Sequence, residues 1–159
     1  MFALRPAALS LLMLAGAAGA QARTDLPPVD QVVVRKAERT ITLYAAGQAV
    51  QTIAGIQLGD APIGAKRFQG DERTPEGRYV IDYGNPASAY YLSLHISYPD
   101  ARDRAFAEAQ GRSAGGQIFI HGQPNDLAQA RVAGDWTDGC IALSNAEMDM
   151  LWEVVPDGT

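Results

Sequence analysis

Two short polar turns divide residues 32–58 into three runs with the period of β-strands, and no other feature constrains the fold as much. Val32-Val33-Val34 opens the first run, and Lys36-Ala37-Glu38-Arg39 turns it. In the second run Ile41 and Leu43 alternate with Thr40, Thr42 and Tyr44. Successive side chains on a strand point to opposite faces, so this alternation marks a half-buried strand. Ala45-Ala46-Gly47-Gln48 makes the second turn, and residues 50–58 form the third strand of a β-meander. Further strands are predicted at 78–83, 90–97 and 117–120. In the 90–97 strand Tyr91, Ser93, His95 and Ser97 share one face, while Leu92, Leu94 and Ile96 share the other. Helical signals occupy only two segments. Asp100 caps a helix running to about residue 110, with Ala105, Phe106 and Ala109 on one face and Gly111 stopping it. Ser144 and Glu147 form a capping box; Met148, Leu151, Trp152 and Val155 follow at helical spacing, and Pro156 ends the helix.

The ends and one loop do not follow these periods. Residues 1–22 carry Arg5, then an apolar run over 7–18, then Ala18-Gly19-Ala20 and Ala20-Gln21-Ala22. That is the pattern of a secretory signal peptide, too short for a stable membrane span. An N-terminal helix packed on the domain is the alternative, and the run lacks the amphipathic period it needs. Residues 23–31, with Pro27-Pro28, read as an extended lead-in to a domain over 32–159. The expected location is the periplasm or cell envelope. Residues 59–73 are rich in Gly, Asp, Pro, Lys and Arg without a period, as functional loops often are. Thr74-Pro75-Glu76-Gly77 suits a type I turn. Asp157-Gly158-Thr159 reads as a turn before a further strand that the sequence does not contain.

The net charge of −5 argues against nucleic acid and anionic membrane as partners. Cys140 is the one cysteine, so no internal disulfide forms and the core rests on packing. In an exported chain it is an intermolecular disulfide, a buried bystander or a working thiol. A thiolate attacks carbonyls far better than a thiol, and lowering its pKa takes a nearby imidazole or aimed backbone N–H groups. His121 stands at the end of a predicted strand nineteen residues upstream, and Gly139 puts an unhindered N–H beside the nucleophile. Two such N–H groups suit an oxyanion hole. Gly122, without a side chain, lets its carbonyl approach His121 and fix its tautomer in place of an acidic triad member. A zinc site from Cys140, His121 and His95 would have three ligands and no close pair at metal spacing, so no metal or cofactor is expected.

Three segments in this order resemble the L,D-transpeptidase family, the YkuD-type catalytic domain of peptidoglycan enzymes. They are Gly70-Asp71-Glu72-Arg73-Thr74-Pro75-Glu76-Gly77, Gly116-Gln117-Ile118-Phe119-Ile120-His121-Gly122 and Thr137-Asp138-Gly139-Cys140-Ile141. The resemblance implies a mainly β fold, an antiparallel β-sandwich with one or two short helices. It also implies a cysteine acyltransferase acting on peptidoglycan stem peptides, with Cys140 as nucleophile, His121 as base and the Gly122 carbonyl orienting it. Gly139 and Cys140 N–H groups would hold the oxyanion. Related branches hydrolyse stem peptides or attach lipoproteins, and a non-catalytic peptidoglycan-binding module is the reading from another class. Thr137, Asp138 and Ala142 stand where the family often has Ser, His and Arg. Asp138 beside the thiol should raise its pKa. Without the Arg, the substrate clamp is expected on Arg73, Lys66, Arg67 or Arg131. Trp136 and His95 are the remaining candidates to line the cleft.

Overall fold

The computed structural model describes residues 25–127 and 131–159, so the expected signal peptide lies outside the described residues. Three strands form the predicted meander: β1 (Gln31–Arg35), β2 (Thr40–Ala45) and β3 (Gln48–Ala54), antiparallel in that order. Ile41 and Leu43 of β2 are fully buried, as their alternation requires. Ala46 and Gly47, both at positive φ, make a two-residue hairpin loop between β2 and β3. Such loops match the right-handed twist of the flanking strands.

The third strand ends earlier than its sequence suggests. Gly55 takes a positive φ, and the chain leaves the first sheet there. Gln57 then pairs with Ala142 and Gly59 with Thr137, so residues 55–59 stitch one sheet to the other.

The second sheet is ordered β4 (Ile81–Ser88), β5 (Tyr91–Ile96), β6 (Phe119–His121), β7 (Ile141–Ala142). Two corrections to the sequence reading arise here. β4 begins at Ile81 rather than at residue 78 and runs on through Gly84-Asn85-Pro86, residues that disfavour strands. Packing decides: a Cβ on Gly84 would stand 2.7 Å from the Trp152 ring. β7 was not expected, and it pairs parallel with β6 through Ile120↔Ile141 and His121↔Ala142. The sheet is therefore mixed, because the long connection after His121 returns the chain in the same direction.

Leu94, Ile96, Ile120 and Ile141 fill the core between the layers with Ile41, Leu43, Met148 and Leu151. Helix α1 (Ala101–Glu108) has an Asp100/Asp103 capping box. Its buried residue is Ala107, whereas Phe106 is exposed and stacks at 5.9 Å on Phe68, so the expected apolar face was misplaced. Helix α2 (Asn145–Val154) carries the Ser144/Glu147 capping box and buries Met148, Leu151 and Val154. The Gly158 N–H donates to the Ile81 carbonyl, and the Thr159 carbonyl accepts from the Ile81 N–H, so residues 158–159 lie against the start of β4.

Candidate active site

Cys140 sits between a tight turn and β7. The turn is closed by Thr137, whose hydroxyl donates to the Cys140 carbonyl at 2.7 Å and accepts from the Gly139 N–H at 3.2 Å. Gly139 has a φ of +127, and a Cβ there would stand 2.5 Å from the Arg73 carbonyl oxygen. Gly59 is equally tight: its Cβ would stand 2.1 Å from the Glu72 carbonyl oxygen and 3.1 Å from Gly139 Cα. Close backbone packing thus clamps the 59–73 loop onto the Cys140 turn.

Asp71 organises that loop. Its carboxylate accepts from the N–H groups of Arg67, Phe68 and Arg73 at 2.6, 3.0 and 3.2 Å, and from the buried Lys66 ammonium at 2.9 Å. Burial pushes the Asp71 pKa up, but the Arg67 and Phe68 N–H bonds, with Lys66 and Arg73, outweigh it and bring it to about 2. Hydrogen bonds to the charged form favour that form.

His121 ends β6, buried, with Nδ1 2.7 Å from the Gly122 carbonyl oxygen. A carbonyl only accepts, so Nδ1 carries the proton and the Nε2 lone pair is left to act as a base. Gly122 is required for packing as well: a Cβ would meet Asn145 Oδ1 at 2.7 Å and Tyr91 Cβ at 2.8 Å. Tyr90 lies 4.6 Å and Trp136 5.6 Å from the imidazole centroid, walling it on two sides. Burial lowers the His121 pKa, partly offset by the Gly122 bond.

The thiol is half-buried and rests on backbone. Cys140 Sγ accepts from the Phe119 N–H at 3.4 Å and lies 3.6 Å from the Gln117 carbonyl oxygen. No hydrogen bond joins it to His121 among the described residues. Burial pushes the Cys140 pKa up and the Asp138 charge adds to this, while the Phe119 N–H and the Lys66 charge oppose it. The sign expected for Asp138 is therefore present, but desolvation is the larger cause. At neutral pH the site rests as a thiol beside a neutral imidazole.

The other predicted residues divide. Trp136 is at the site, with its Nε1–H buried and unpartnered. His95 lies on the same sheet face, paired with Asp82 at 2.6 Å. The Thr137 hydroxyl and the Gly139 N–H are engaged within the turn, whereas the Cys140 N–H has no protein acceptor among the described residues. Asp138 is exposed. Of the four cations, Lys66 is held by Asp71 and Arg131 by Glu147 at 2.9 Å, and Arg67 lies over the Phe106 ring. Arg73 is exposed, with neither an ion pair nor a ring contact among the described residues.

Sequence reasoning missed a buried amide network. Gln123 Nε2 donates to the Leu143 carbonyl at 2.6 Å and to Gln57 Oε1 at 3.1 Å, and its Oε1 accepts from the Val132 N–H at 2.9 Å. Gln57 Nε2 donates to the Val132 carbonyl at 2.6 Å, and Asn145 Oδ1 accepts from the Gln123 N–H at 2.8 Å. Asp135 accepts from the Leu58 N–H at 2.8 Å and pairs with Arg39 at 2.5 Å. Together these bonds hold the segment that carries Trp136 over His121.

Known proteins resemble this chain over most of its length. A model of the L,D-transpeptidase catalytic domain (YkuD) matches residues 30–159. A protein of Escherichia coli (strain K12) named "Putative L,D-transpeptidase YafK" is 29% identical over 129 residues, covering 78% of this chain and 46% of that protein. The crystal structure of the helical cell shape determining protein Pgp2 from Campylobacter jejuni is 30% identical with a TM-score of 0.61, covering 78% of this chain and 43% of that one. An L,D-transpeptidase from Xylanimonas cellulosilytica shares the fold at 16% identity and a TM-score of 0.50, covering 86% of this chain and 61% of that one. The chain spans just under half the length of YafK and of Pgp2.

Proposed function

The chain belongs to the L,D-transpeptidase catalytic-domain family, and we propose that it is an exported cysteine acyltransferase acting on peptidoglycan stem peptides in the cell envelope. His121 Nε2 takes the proton of Cys140. The sulfur attacks the carbonyl of the diamino acid at the third stem position, and the terminal D-alanine leaves as its amine takes the proton from His121. A thioacyl-enzyme remains, and an acceptor amine then takes the acyl group. The Cys140 N–H faces the developing oxyanion, and the Gly122 carbonyl keeps His121 in the tautomer the first step needs.

The observation that carries this reading is the 2.7 Å bond from His121 Nδ1 to the Gly122 carbonyl, because it frees Nε2 on a buried ring beside the one thiol. Proton transfer requires Cys140 Sγ to leave the Phe119 N–H for Nε2, and catalytic hydrogen bonds are commonly long before substrate arrives. Replacing Cys140 with Ala should abolish D-alanine release from tetrapeptide stems, and mass spectrometry should find a carbapenem adduct on the wild-type thiol alone. Unchanged release from the Ala variant would sink the proposal.

A second reading, a non-catalytic peptidoglycan-binding module, is favoured by one observation: the thiol is bonded to backbone and its pKa is raised by burial. An unmodified Cys140 after carbapenem exposure would favour it. Hydrolysis on the same scaffold is separated by product analysis with and without an acceptor amine.

A further inference from the structure

We propose that Asp82 and His95 form a second base, one that deprotonates the acceptor amine in the acyl-transfer half-reaction. The inference rests on the acyltransferase reading and assigns a catalytic role to a pair outside the Cys140–His121 centre.

Position is the first argument. Tyr83 pairs with His95, and His95 with Phe119, across β4, β5 and β6. Ile120 pairs with Ile141, so Phe119 lies beside Cys140, and its N–H reaches Cys140 Sγ at 3.4 Å. Tyr83, His95, Phe119 and Cys140 thus form one row across the sheet. Leu94, Ile120 and Ile141 point into the core, so the row lies on the opposite face. With neighbouring strands ~4.8 Å apart, His95 stands roughly 10 Å from Cys140 along the row. The Phe119 ring stands between the two in this row, so the acyl group and the attacking nitrogen would span that distance over the ring.

Chemistry is the second argument. His95 Nδ1 lies 2.6 Å from Asp82 Oδ1. A carboxylate only accepts, so Nδ1 holds the proton and Nε2 is the basic nitrogen, with no protein partner among the described residues. The ring is held by Tyr83, stacked at 4.6 Å and 16°, and by Phe119, edge-on at 4.9 Å. The Asp82 side chain is 41% exposed and His95 12% exposed, so the carboxylate offers its free oxygen to an incoming ammonium. His95 is the one partner of Asp82 among the described residues. Orientation of a basic imidazole by a carboxylate is the arrangement a general base requires.

The step balances as follows. The acceptor arrives as an ammonium at Asp82 and loses one proton to His95 Nε2. Its lone pair attacks the thioester carbon, the C–N bond forms, and the carbonyl electrons move onto oxygen. They return as the C–S bond breaks. The second nitrogen proton passes through His121 Nε2 to the departing sulfur, which restores the thiol, and His95 releases its proton to water.

Two acceptors test this. The donor is a stem tetrapeptide. One acceptor is a tripeptide carrying a diamino-acid amine, protonated at neutral pH; the other is hydroxylamine, mostly uncharged there. Starting each assay from the preformed thioester, His95→Gln should slow transfer to the tripeptide amine on the order of a hundredfold, and leave transfer to hydroxylamine unchanged. Asp82→Asn, which keeps the side-chain shape, should show the same selectivity at smaller size, and it carries the test if His95→Gln does not fold. Equal losses with both acceptors, or no loss with either, overturn the role of the pair. Failure of the wild type to form a thioester overturns the acyltransferase reading itself, and this role with it.

Discussion

Replacing Gly139 with Ala tests how the Cys140 turn is held. A side chain at the φ of +127 found there is strained by about 1–3 kcal/mol. The added Cβ would also stand 2.5 Å from the Arg73 carbonyl oxygen, well inside van der Waals contact. That carbonyl cannot simply retreat. The Arg73 N–H is bonded to Asp71, and the Asp71 carboxylate is bonded to three further groups of the same loop. Overpacking a fixed neighbour costs about 1–3 kcal/mol more, so the substitution should cost ~2–6 kcal/mol in all. For a domain of this size that is a fall in melting temperature on the order of 10–20 °C. Gly47→Ala separates the two terms, because Gly47 also has a positive φ, +73, but open space around it. It should lose only about 1 kcal/mol. Thermal unfolding of both variants, followed by circular dichroism, gives the comparison. If Gly139→Ala melts with Gly47→Ala, the clamp between the 59–73 loop and the Cys140 turn does not exist in solution.

Three further changes probe the loop, the hairpin and the thiol. Ala46 adopts a φ of 49 in a two-residue hairpin loop where Asn is favoured, so Ala46→Asn should raise stability by roughly 0.5–1 kcal/mol, read as a melting temperature a few degrees higher. Asp71 titrates at about 2 when folded against an ordinary 3.8, so its contribution is present above the higher value and is lost as pH falls through the lower one. Asp71→Asn should flatten acid unfolding over that window, and at neutral pH it should cost ~3–5 kcal/mol by leaving the Lys66 ammonium buried without its counter-charge; an unaltered acid limb would contradict this. Asp138→Asn removes a charge that raises the Cys140 pKa, so iodoacetamide should alkylate Cys140 faster at any fixed mildly alkaline pH, and an unchanged rate would show the charge is screened.

What could be read from the sequence was local. The Thr40–Tyr44 alternation fixed β2 because one face had to be buried. The Asp100 cap and the Ser144/Glu147 capping box were legible because a cap and its partners lie close in sequence; the reciprocal Asp103 bond appeared only in the structure. β7 is only two residues long and exists through Gln57 on one side and β6 on the other, partners that no local pattern near Cys140 reveals. The site divides the same way. His121, Gly122 and Cys140 were singled out as candidates because their chemistry is rare and their flanks are short. The Gln57–Gln123 bond joins residues 66 apart, and buried amides have no sequence signature to separate them from surface ones. Thr137 was read as standing at the family's Ser position; the bond it makes to the Cys140 carbonyl is visible only in three dimensions. Gly139 was expected to lend its N–H to the oxyanion, and its geometry gives a stronger reason for glycine: the approach of the Arg73 carbonyl.

The resting charge of the site makes one more prediction. Burial lowers the His121 pKa and raises that of Cys140, so the two move away from each other and both groups are neutral between them. Proton transfer from sulfur to Nε2 then creates an ion pair where none existed, and it must be driven by the developing bond to the substrate carbonyl and by the Gly122 carbonyl facing the new imidazolium. Acylation by a carbapenem should therefore hold a broad plateau. Its acid limb should fall below the ordinary imidazole value of roughly 6.5, and its alkaline change should come above the ordinary thiol value of roughly 8.5. A preformed thiolate–imidazolium pair behaves in the opposite way, staying reactive down to the thiolate's own pKa, which reaches about 3–4 in such pairs. An acid limb in that range, or a thiolate absorbance at neutral pH that disappears in Cys140→Ala, would show that solvent reaches the pair and that the burial separating their titrations is not maintained.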